Sequence, residues 1–245
     1  MRYKVNLQYR GTNYHGWQIQ PNAITVQEIL EKAFSTILQE KTGITGAGRT
    51  DTGVHASYYV AHFDSIQKIP DLKNFAFKIN RFLPKDISIS NVSGVSDDFH
   101  ARFSAISRTY EYVILTEKNP FFSDLSYYLY GKIDFDKMNE CAKILLEYTD
   151  FTSFSKLHTD TKTNDCIIYK AEWKKDAQIP GKYIFTIKAN RFLRNMVRAI
   201  VGTLLDVGKG KITCDDFRKI IENKNRSNAG FSVPPEGLFL VNIEY

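Results

Sequence analysis

The sequence is poor in cysteine and has no long apolar run. Its three cysteines are widely separated, and an odd number without a close pair argues against a disulfide framework and a cysteine-based zinc site. The most apolar stretch, residues 196–207, is interrupted by Arg198 and Asp206, so no membrane-spanning segment is expected. The first residues alternate polar and apolar instead of forming a signal-peptide core. We therefore predict a protein of a reducing compartment, the cytoplasm.

Several common catalytic motifs are missing as well. Gly53 is followed by Val54 where a phosphate-binding loop needs Lys and then Ser or Thr. No GxSxG nucleophile elbow occurs, and a dinucleotide fingerprint needs a strand before its glycines, where this sequence predicts a helix. No histidine pair has the HExxH spacing of a zinc protease. Packing or surface roles are instead predicted for His15, His55, His62, His100 and His158.

What the sequence does have is a moderate excess of positive charge. Its 245 residues include 33 lysines and arginines against 27 aspartates and glutamates, a net charge of +6, and 43% are hydrophobic. That hydrophobic content predicts a globular chain, long enough to bury its own core in one large domain or two small ones. The positive charge alone points only weakly to a polyanionic partner.

Hydrophobic periodicity predicts an α+β fold. Period-two patterns predict strands at residues 3–9, 58–63, 87–95, 106–115, 167–173, 183–189 and 238–243. Apolar residues at helical spacing within 29–38 predict a first helix, and the same spacing predicts helices at 72–82, 136–147, 192–207 and 214–221. A capping box of Thr25 and Glu28 begins the first helix, and Gly43 is predicted to end it. Neighbouring strands joined by short connections favour a mostly antiparallel sheet.

The two halves of the chain, residues 1–105 and 106–245, have a related order of elements. This order suggests a pseudo-duplicated architecture, although no residue-level repeat is visible. No low-complexity linker separates the halves. We therefore expect one continuous sheet flanked by helices, with a basic cleft between the halves, so that the first half carries the segment described next and the second completes the cleft.

The most unusual segment is GAGRTDTGVHA, residues 46–56. Its glycines allow tight turns or close approach to a ligand, and its Thr-Asp-Thr-Gly centre can hold itself by side-chain hydrogen bonds to the backbone. Asp51 stands close to Arg49, and an adjacent guanidinium favours an ionised, nucleophilic carboxylate. The alternative is that the segment is only a tight connecting turn.

The predicted helix 192–207 is the second unusual feature. Arg191, Arg194 and Arg198 are three and four residues apart, which places them on one helical face. For the first two, a solvated basic stripe is the favoured interpretation. Arg198 is surrounded by apolar residues in the sequence, and an arginine buried in that way needs a carboxylate partner.

On these residues the chain resembles the TruA family of bacterial tRNA pseudouridine synthases. The matching segments are YRGTNYHGWQIQP, GRTDTGVHA, INRFLPKDI, FHARFSAISRTYEYVI, NRFLRNMVRAIVGTLLDVGKG and GLFLVNIEY, in chain order from Tyr9 to Tyr245. The resemblance implies ferredoxin-like halves, and isomerisation of uridine to pseudouridine at positions 38, 39 and 40 of the tRNA anticodon arm. It also implies a homodimer that binds tRNA and needs neither cofactor nor metal.

The resemblance assigns roles to four residues. The catalytic aspartate corresponds to Asp51, the tyrosine that stacks on the target base to Tyr110, and the basic partner of the aspartate to Arg198. Arg49 corresponds to the arginine that helps to extrude the target nucleotide. Thr52 departs from the alanine that is frequent in the family, and residues 157–165 match poorly, so RNA contacts there are not implied.

Three alternatives stay open on the residues alone. Tyr110 could be one more core aromatic on a strand. The chain could bind RNA without catalysis, or hydrolyse a glycosidic bond, although the second activity normally needs a second carboxylate. Basic residues that could follow a phosphate backbone or simply be solvated are Arg102, Arg108, Arg191, Arg194, Lys209, Lys211, Arg218, Lys219, Lys224 and Arg226.

Overall fold

The computed structural model describes residues 1–156 and 163–245, which fall into two compact units. Unit 1 comprises Met1–Ile106 and Phe239–Tyr245, and unit 2 comprises Ser107–Leu238. The predicted fold class is confirmed: the described residues are α+β, with nine mostly antiparallel strands and five α-helices. In this part of the chain, every helix is too short or too polar to cross a membrane. His158 lies outside the described residues.

Unit 1 is a sheet covered by two helices. Its elements are β1 (Arg2–Tyr9), α1 (Val26–Leu38), β2 (Ile44–Gly46), β3 (His55–Asp64), α2 (Leu72–Phe82), β4 (Ile87–Val95) and, from Phe239 onward, β9 (Leu238–Glu244). Strand β1 lies antiparallel between β3 and β4, while β3 also pairs antiparallel with β2 and parallel with the start of β9. Phe34 of α1 packs edge-on against Phe63 and Phe75 at 4.9 and 5.5 Å, which fastens both helices to the sheet.

Helix α1 begins where predicted but ends earlier. The Thr25 hydroxyl accepts a hydrogen bond from the Glu28 amide, which is the expected N-cap. The helix stops at Leu38 because Gln39 adopts a left-handed conformation, with φ of 56°. The prediction that Gly43 ends the helix is therefore wrong. Strand β2, which starts at Ile44, was not predicted because three residues are too few to show a period.

Unit 2 consists of mostly antiparallel strands, which belong to the same nine-stranded sheet, and three helices. Its elements are β5 (Ser107–Leu115), β6 (Tyr127–Tyr128), α3 (Phe135–Ile144), β7 (Ile168–Lys175), β8 (Lys182–Ala189), α4 (Met196–Gly208) and α5 (Cys214–Glu222). Strand β8 lies antiparallel between β5 and β7, and the short β6 pairs parallel with β5. Phe135 stacks on Tyr183 at 3.6 Å and holds α3 against β8.

Helix α4 begins later than predicted, at Met196 instead of residue 192. Asn195 precedes it with a left-handed φ of 66°, a conformation that asparagine tolerates better than most residues. Arg191 and Arg194 consequently lie before the helix. The prediction that they share a helical face with Arg198 is wrong.

The prediction from the number and spacing of the cysteines, which argued against disulfides, was also wrong in one respect. Cys141 and Cys214 form a disulfide, with Cα atoms 5.2 Å apart, across a sequence separation of 73 residues. Cys141 lies on α3 and Cys214 is the first residue of α5. The packing of these two helices brings the cysteines together, and this contact has no signature in the spacing of cysteines along the chain. Cys166 is a buried free thiol, and burial raises its pKa to about 11.

Candidate active site

The loop between β2 and β3 carries Asp51 and Arg49, and backbone hydrogen bonds anchor it along its length. The Ala47 amide donates to the Val60 carbonyl at 2.9 Å. The Trp17 amide donates to the Thr50 carbonyl at 3.3 Å, and the Gly53 amide donates to the Tyr14 carbonyl at 3.2 Å. These bonds fix the loop to β3 and to the segment that follows β1, so Asp51 is presented by a supported backbone.

Thr50, directly before Asp51, and Val54, three residues after it, are buried and anchor the loop. Thr50 is buried, and its hydroxyl is hydrogen bonded to the Tyr9 hydroxyl at 2.9 Å. Val54 is 2% exposed, and its amide donates to the Asp51 carbonyl at 3.2 Å. Asp51 itself is half-buried. The arrangement immobilises the backbone of the aspartate while part of the residue stays accessible.

At two positions of this segment, steric constraints explain why the residue is glycine. A Cβ on Gly46 would lie 2.2 Å from the Tyr59 hydroxyl oxygen and 2.5 Å from the Trp17 ring, which stack on each other at 4.2 Å. Gly53 has φ of +79°, a conformation that disfavours other residues. The glycine-rich composition therefore reflects aromatic packing under the loop and a tight turn after Asp51.

Arg49 is the exposed member of the pair. It makes no hydrogen bond or ion pair with any residue in the described ranges 1–156 and 163–245, Asp51 included. The nearness of Arg49 and Asp51 in the sequence therefore does not produce a hydrogen bond or ion pair between them. Its five N–H donors remain available for a ligand.

Tyr110 lies on β5 of unit 2, opposite Ile187 of β8. It is half-buried, and its ring meets the edge of Phe192 at 5.1 Å. Tyr112, two residues further on the same strand, is fully buried and donates its hydroxyl to the Pro234 carbonyl at 2.8 Å. Tyr112 is therefore the core aromatic of this strand, while Tyr110 keeps part of its surface accessible.

Arg198 is half-buried on α4 of unit 2, between the buried residues Val197 and Ala199. Its Nε donates to the Val233 carbonyl at 2.7 Å, and the Val233 amide donates back to the Arg198 carbonyl at 3.2 Å. Asn195 is hydrogen bonded to the Ser232 hydroxyl in the same region. Arg198 thus helps to fasten residues 230–233 to the start of the helix. Its pairing with Asp51 stays a prediction.

A feature that the sequence only hinted at is the loop of residues 99–104 in unit 1. The sequence drew attention to Arg102 as a basic residue that could follow a phosphate backbone, but the way the loop is built was missed. The Ala101 amide donates to Nδ1 of the buried His62 at 3.1 Å, and the Arg102 amide donates to Nδ1 of His100 at 3.1 Å. Two imidazoles therefore hold the backbone of this loop.

The predicted packing or surface roles fit the histidines of unit 1: His55, His62 and His100 contact aromatic rings and accept hydrogen bonds, and His15 is exposed. His55 is buried, accepts from the Gly11 amide at 2.9 Å through Nδ1, and stacks on Phe239 at 4.7 Å. Burial lowers the pKa of His62 to about 4. A neutral imidazole suits its role, because an unprotonated Nδ1 is required to accept the Ala101 amide.

The basic residues near the end of unit 2 are largely engaged within the protein. The ion pairs are Lys211–Asp206 at 3.1 Å, Arg218–Glu147 at 2.6 Å, Lys219–Asp216 at 3.9 Å and Lys224–Asp150 at 2.9 Å. Arg226 donates to the Gly230 carbonyl at 3.0 Å and the Ser232 hydroxyl at 2.9 Å. These contacts give Arg226 a structural role, which neither of the two interpretations considered for this cluster predicted.

Comparison with known proteins gives one consistent result. The family model described as tRNA pseudouridine synthase matches residues 7–104 and 142–245. The chain is 57% identical over 244 residues to tRNA pseudouridine synthase A of Bacteroides fragilis, covering 100% of this chain and 96% of that protein. It is 51% identical over 245 residues to the protein of the same name from Porphyromonas gingivalis, covering 100% and 97%. It is 40% identical over 243 residues to the one from a Thermoanaerobacter species, covering 98% of each.

Proposed function

The chain belongs to the tRNA pseudouridine synthase family, and we propose that it isomerises uridine to pseudouridine at positions 38, 39 and 40 of the tRNA anticodon stem-loop. The observation that carries this proposal is the likeness to relatives named tRNA pseudouridine synthase A over the whole chain, together with the anchored loop that presents Asp51.

We assign the chemistry to Asp51. The reaction breaks the bond between C1′ of the ribose and N1 of uracil, joins C1′ to C5, and moves a proton from C5 to N1. A single carboxylate can attack the sugar or the ring as a nucleophile, or remove a proton in a glycal route. In each route the carboxylate must meet one atom accurately, and the buried anchors Thr50 and Val54 limit how far its backbone can move. The reaction is redox-neutral, so the proposal includes no cofactor.

The other three residues receive substrate-binding roles. A uridine must leave its stack to react, which costs a few kcal/mol, and stacking on an aromatic side chain such as Tyr110 returns about 1–3 kcal/mol. Arg49, exposed and without a partner in the described residues, has its donors available for the extruded nucleotide or its phosphates. Arg198 is proposed to act as the basic partner of Asp51.

The assembly and location belong to the same proposal. The family resemblance supports a homodimer in which each tRNA contacts both subunits, and the tRNA substrate supports a cytoplasmic enzyme. Cytoplasmic thiols are normally kept reduced. In that compartment Cys141 and Cys214 are expected to be neighbouring thiols, joined only after oxidation.

The test is a site-resolved pseudouridine assay on an unmodified tRNA, with wild type, Asp51→Asn and Asp98→Asn. Asp98 is an exposed aspartate of the same unit, so Asp98→Asn controls for the loss of one charge. We expect product at positions 38 to 40 with wild type and Asp98→Asn. With Asp51→Asn we expect no turnover and tRNA binding close to that of wild type.

Two results would contradict the proposal in different ways. Activity of Asp51→Asn within tenfold of wild type would remove the aspartate from the chemistry. Wild-type protein that binds tRNA in a salt-sensitive manner without forming pseudouridine would instead favour an RNA-binding protein that lacks catalysis.

A further inference from the structure

Unit 1 contains a cavity of about 240 Å³ beside the catalytic loop. Its lining includes the buried Trp17 and the exposed residues Arg49, Arg102 and Phe103. Asp51 is not among the described residues that line it. The cavity is therefore a neighbour of the proposed catalytic carboxylate and distinct from it.

The side of the cavity formed by residues 99–104 is unusual because it exposes an aromatic ring on a supported backbone. Phe103 is 75% exposed. The His100 ring lies 4.4 Å from it, and the Arg102 guanidinium lies 5.5 Å from its centroid. The Phe103 amide points to Nδ1 of His100 at 3.3 Å. An exposed ring held in this way loses little further conformational freedom when a ligand stacks on it.

We propose that this cavity takes one unstacked nucleobase of the tRNA substrate, other than the uridine that is isomerised, and that the base stacks on Phe103. The inference rests on the proposed function. We call the site the Phe103 cavity.

Its size and polarity favour a base. At about 240 Å³ the cavity is smaller than the roughly 300–1,000 Å³ of a typical small-molecule site, which suits one ring system. Aromatic stacking accepts any base, since every base has a π-face. The amide of Gln18, also lining the cavity, is exposed and makes no hydrogen bond to the described residues. It can pair with the edge of a base, since an amide both donates and accepts.

The charge around the cavity matches a nucleotide better than an apolar peptide. Arg49 and Arg102 stand on its rim, where guanidinium groups meet the phosphates on either side of a bound base. Gln27, deeper in the lining, is already committed: its Nε2 donates to the Ile44 carbonyl at 2.9 Å, and its Oε1 accepts from the Ile19 amide at 3.1 Å. This residue supports the wall and is not free to read a ligand.

The experiment couples a protein change to a change in the RNA. Binding is measured for wild type and Phe103→Leu, which keeps an apolar side chain, on intact tRNA. The same measurement uses tRNAs in which each nucleotide of the anticodon stem-loop is made abasic in turn. Phe121→Leu is the matched control, because Phe121 is an 87% exposed phenylalanine in unit 2.

We expect Phe103→Leu to weaken binding of intact tRNA by about 5- to 150-fold, the range of base–aromatic stacking. At one abasic position the two proteins should bind equally, because the base that Phe103 contacts is already gone. Phe121→Leu should bind like wild type. Binding of Phe103→Leu within twofold of wild type would overturn the proposal, and so would an equal loss on every abasic tRNA.

Two further outcomes separate this inference from the proposed function. The abasic position at which the two proteins bind equally could be the uridine that becomes pseudouridine. In that case the cavity binds the reacting base and the inference is wrong. If the wild-type protein makes no pseudouridine but one abasic position still cancels the effect of Phe103→Leu, the proposed function fails and the cavity stands as a base-binding site.

Discussion

Two regions of the molecule combine arginine with an aromatic ring, yet the structure treats them differently. In unit 2 the Arg218 guanidinium lies 5.7 Å from the centroid of the Tyr148 ring and forms an ion pair with Glu147 at 2.6 Å. In unit 1 Arg49 stands on the rim of the Phe103 cavity with no ion pair in the described residues.

The difference shows why a count of lysines and arginines does not locate a surface for RNA. A carboxylate within about 4 Å cancels much of the field that a phosphate would feel, and the phosphate must compete with it for the same donors. The cations around α5 have such carboxylates. We therefore expect unit 1 to contribute more to the electrostatics of tRNA binding than its share of the basic residues suggests.

The largest effect is expected for Arg198→Ala, which tests the comparison inside unit 2. Arg198 donates to the Val233 carbonyl and is the proposed partner of Asp51, whereas Arg218 pairs with Glu147, so Arg198 should matter far more than Arg218. Because the change removes the proposed partner of Asp51, we expect at least about a 100-fold loss of turnover. Loss of the charged hydrogen bond to Val233 should lower the free energy of unfolding by about 1–3 kcal/mol.

Single-turnover kinetics and thermal unfolding measure the two consequences of Arg198→Ala separately. Arg198→Lys is the companion variant, since it keeps the charge and loses the planar fork. An Arg198→Ala protein with wild-type turnover and a lowered melting temperature would show that Arg198 only fastens residues 230–233 to α4.

An intermediate effect is expected from the matched changes Arg49→Ala and Arg218→Ala. Each removes one guanidinium, but only that of Arg49 is available to a phosphate at no internal cost. The slope of log affinity for tRNA against log salt should fall by about 1 for Arg49→Ala. It should stay unchanged for Arg218→Ala.

The variant Glu147→Gln tests the same comparison from the other direction, by removing the ion pair of Arg218. This change removes the carboxylate that pairs with Arg218 and should leave the guanidinium with its hydrogen bond to the neutral Tyr148 hydroxyl. A steeper salt dependence of tRNA binding in Glu147→Gln would confirm that the ion pair with Glu147 keeps Arg218 from contributing to tRNA binding. Equal slopes for all three variants would contradict the contrast between the two units.

The local signals in the sequence predicted much of the fold, and contacts between distant residues account for the errors. Helix 72–82 was predicted with its observed bounds because an amphipathic pattern ends at Pro84. The start of α4 was wrong because the left-handed Asn195 lies within an apolar pattern and is stabilised by the distant Ser232. The disulfide between Cys141 and Cys214 depends on helix packing in the same way.

The candidate site follows the same division. The composition of residues 46–56 identified Asp51 and Arg49, since glycine and threonine around one carboxylate form a local pattern. The support of residues 99–104 was not predictable. It depends on His62, which is on β3 and whose contact with the Ala101 amide spans 39 positions in the sequence. A buried hydrogen-bond acceptor of this kind produces no periodic pattern in the sequence.

The smallest effect at neutral pH, and the most specific to unit 1, concerns His62. Burial lowers its pKa from 6.5 to about 4, with further contributions from Arg2 and His100, opposed by Asp64. As the pH falls, the His62 imidazole therefore binds a proton near pH 6.5 in the unfolded chain but only near pH 4 in the folded protein. The stabilisation is fully present above pH 6.5 and is lost progressively as the pH falls toward 4.

We expect His62→Asn to reduce this acid sensitivity, because the amide oxygen can accept the Ala101 amide without titrating. Urea unfolding between pH 7.5 and about pH 4 should give a smaller drop in stability for His62→Asn than for wild type. The ion pairs of unit 2 should respond later, since hydrogen bonding from Arg218 lowers the pKa of Glu147. Parallel pH profiles for the two proteins would mean that His62 does not report on the loop that positions Phe103. A difference between the two profiles that is constant above pH 6.5 and changes between pH 6.5 and about 4 would tie the acid sensitivity of unit 1 to one imidazole.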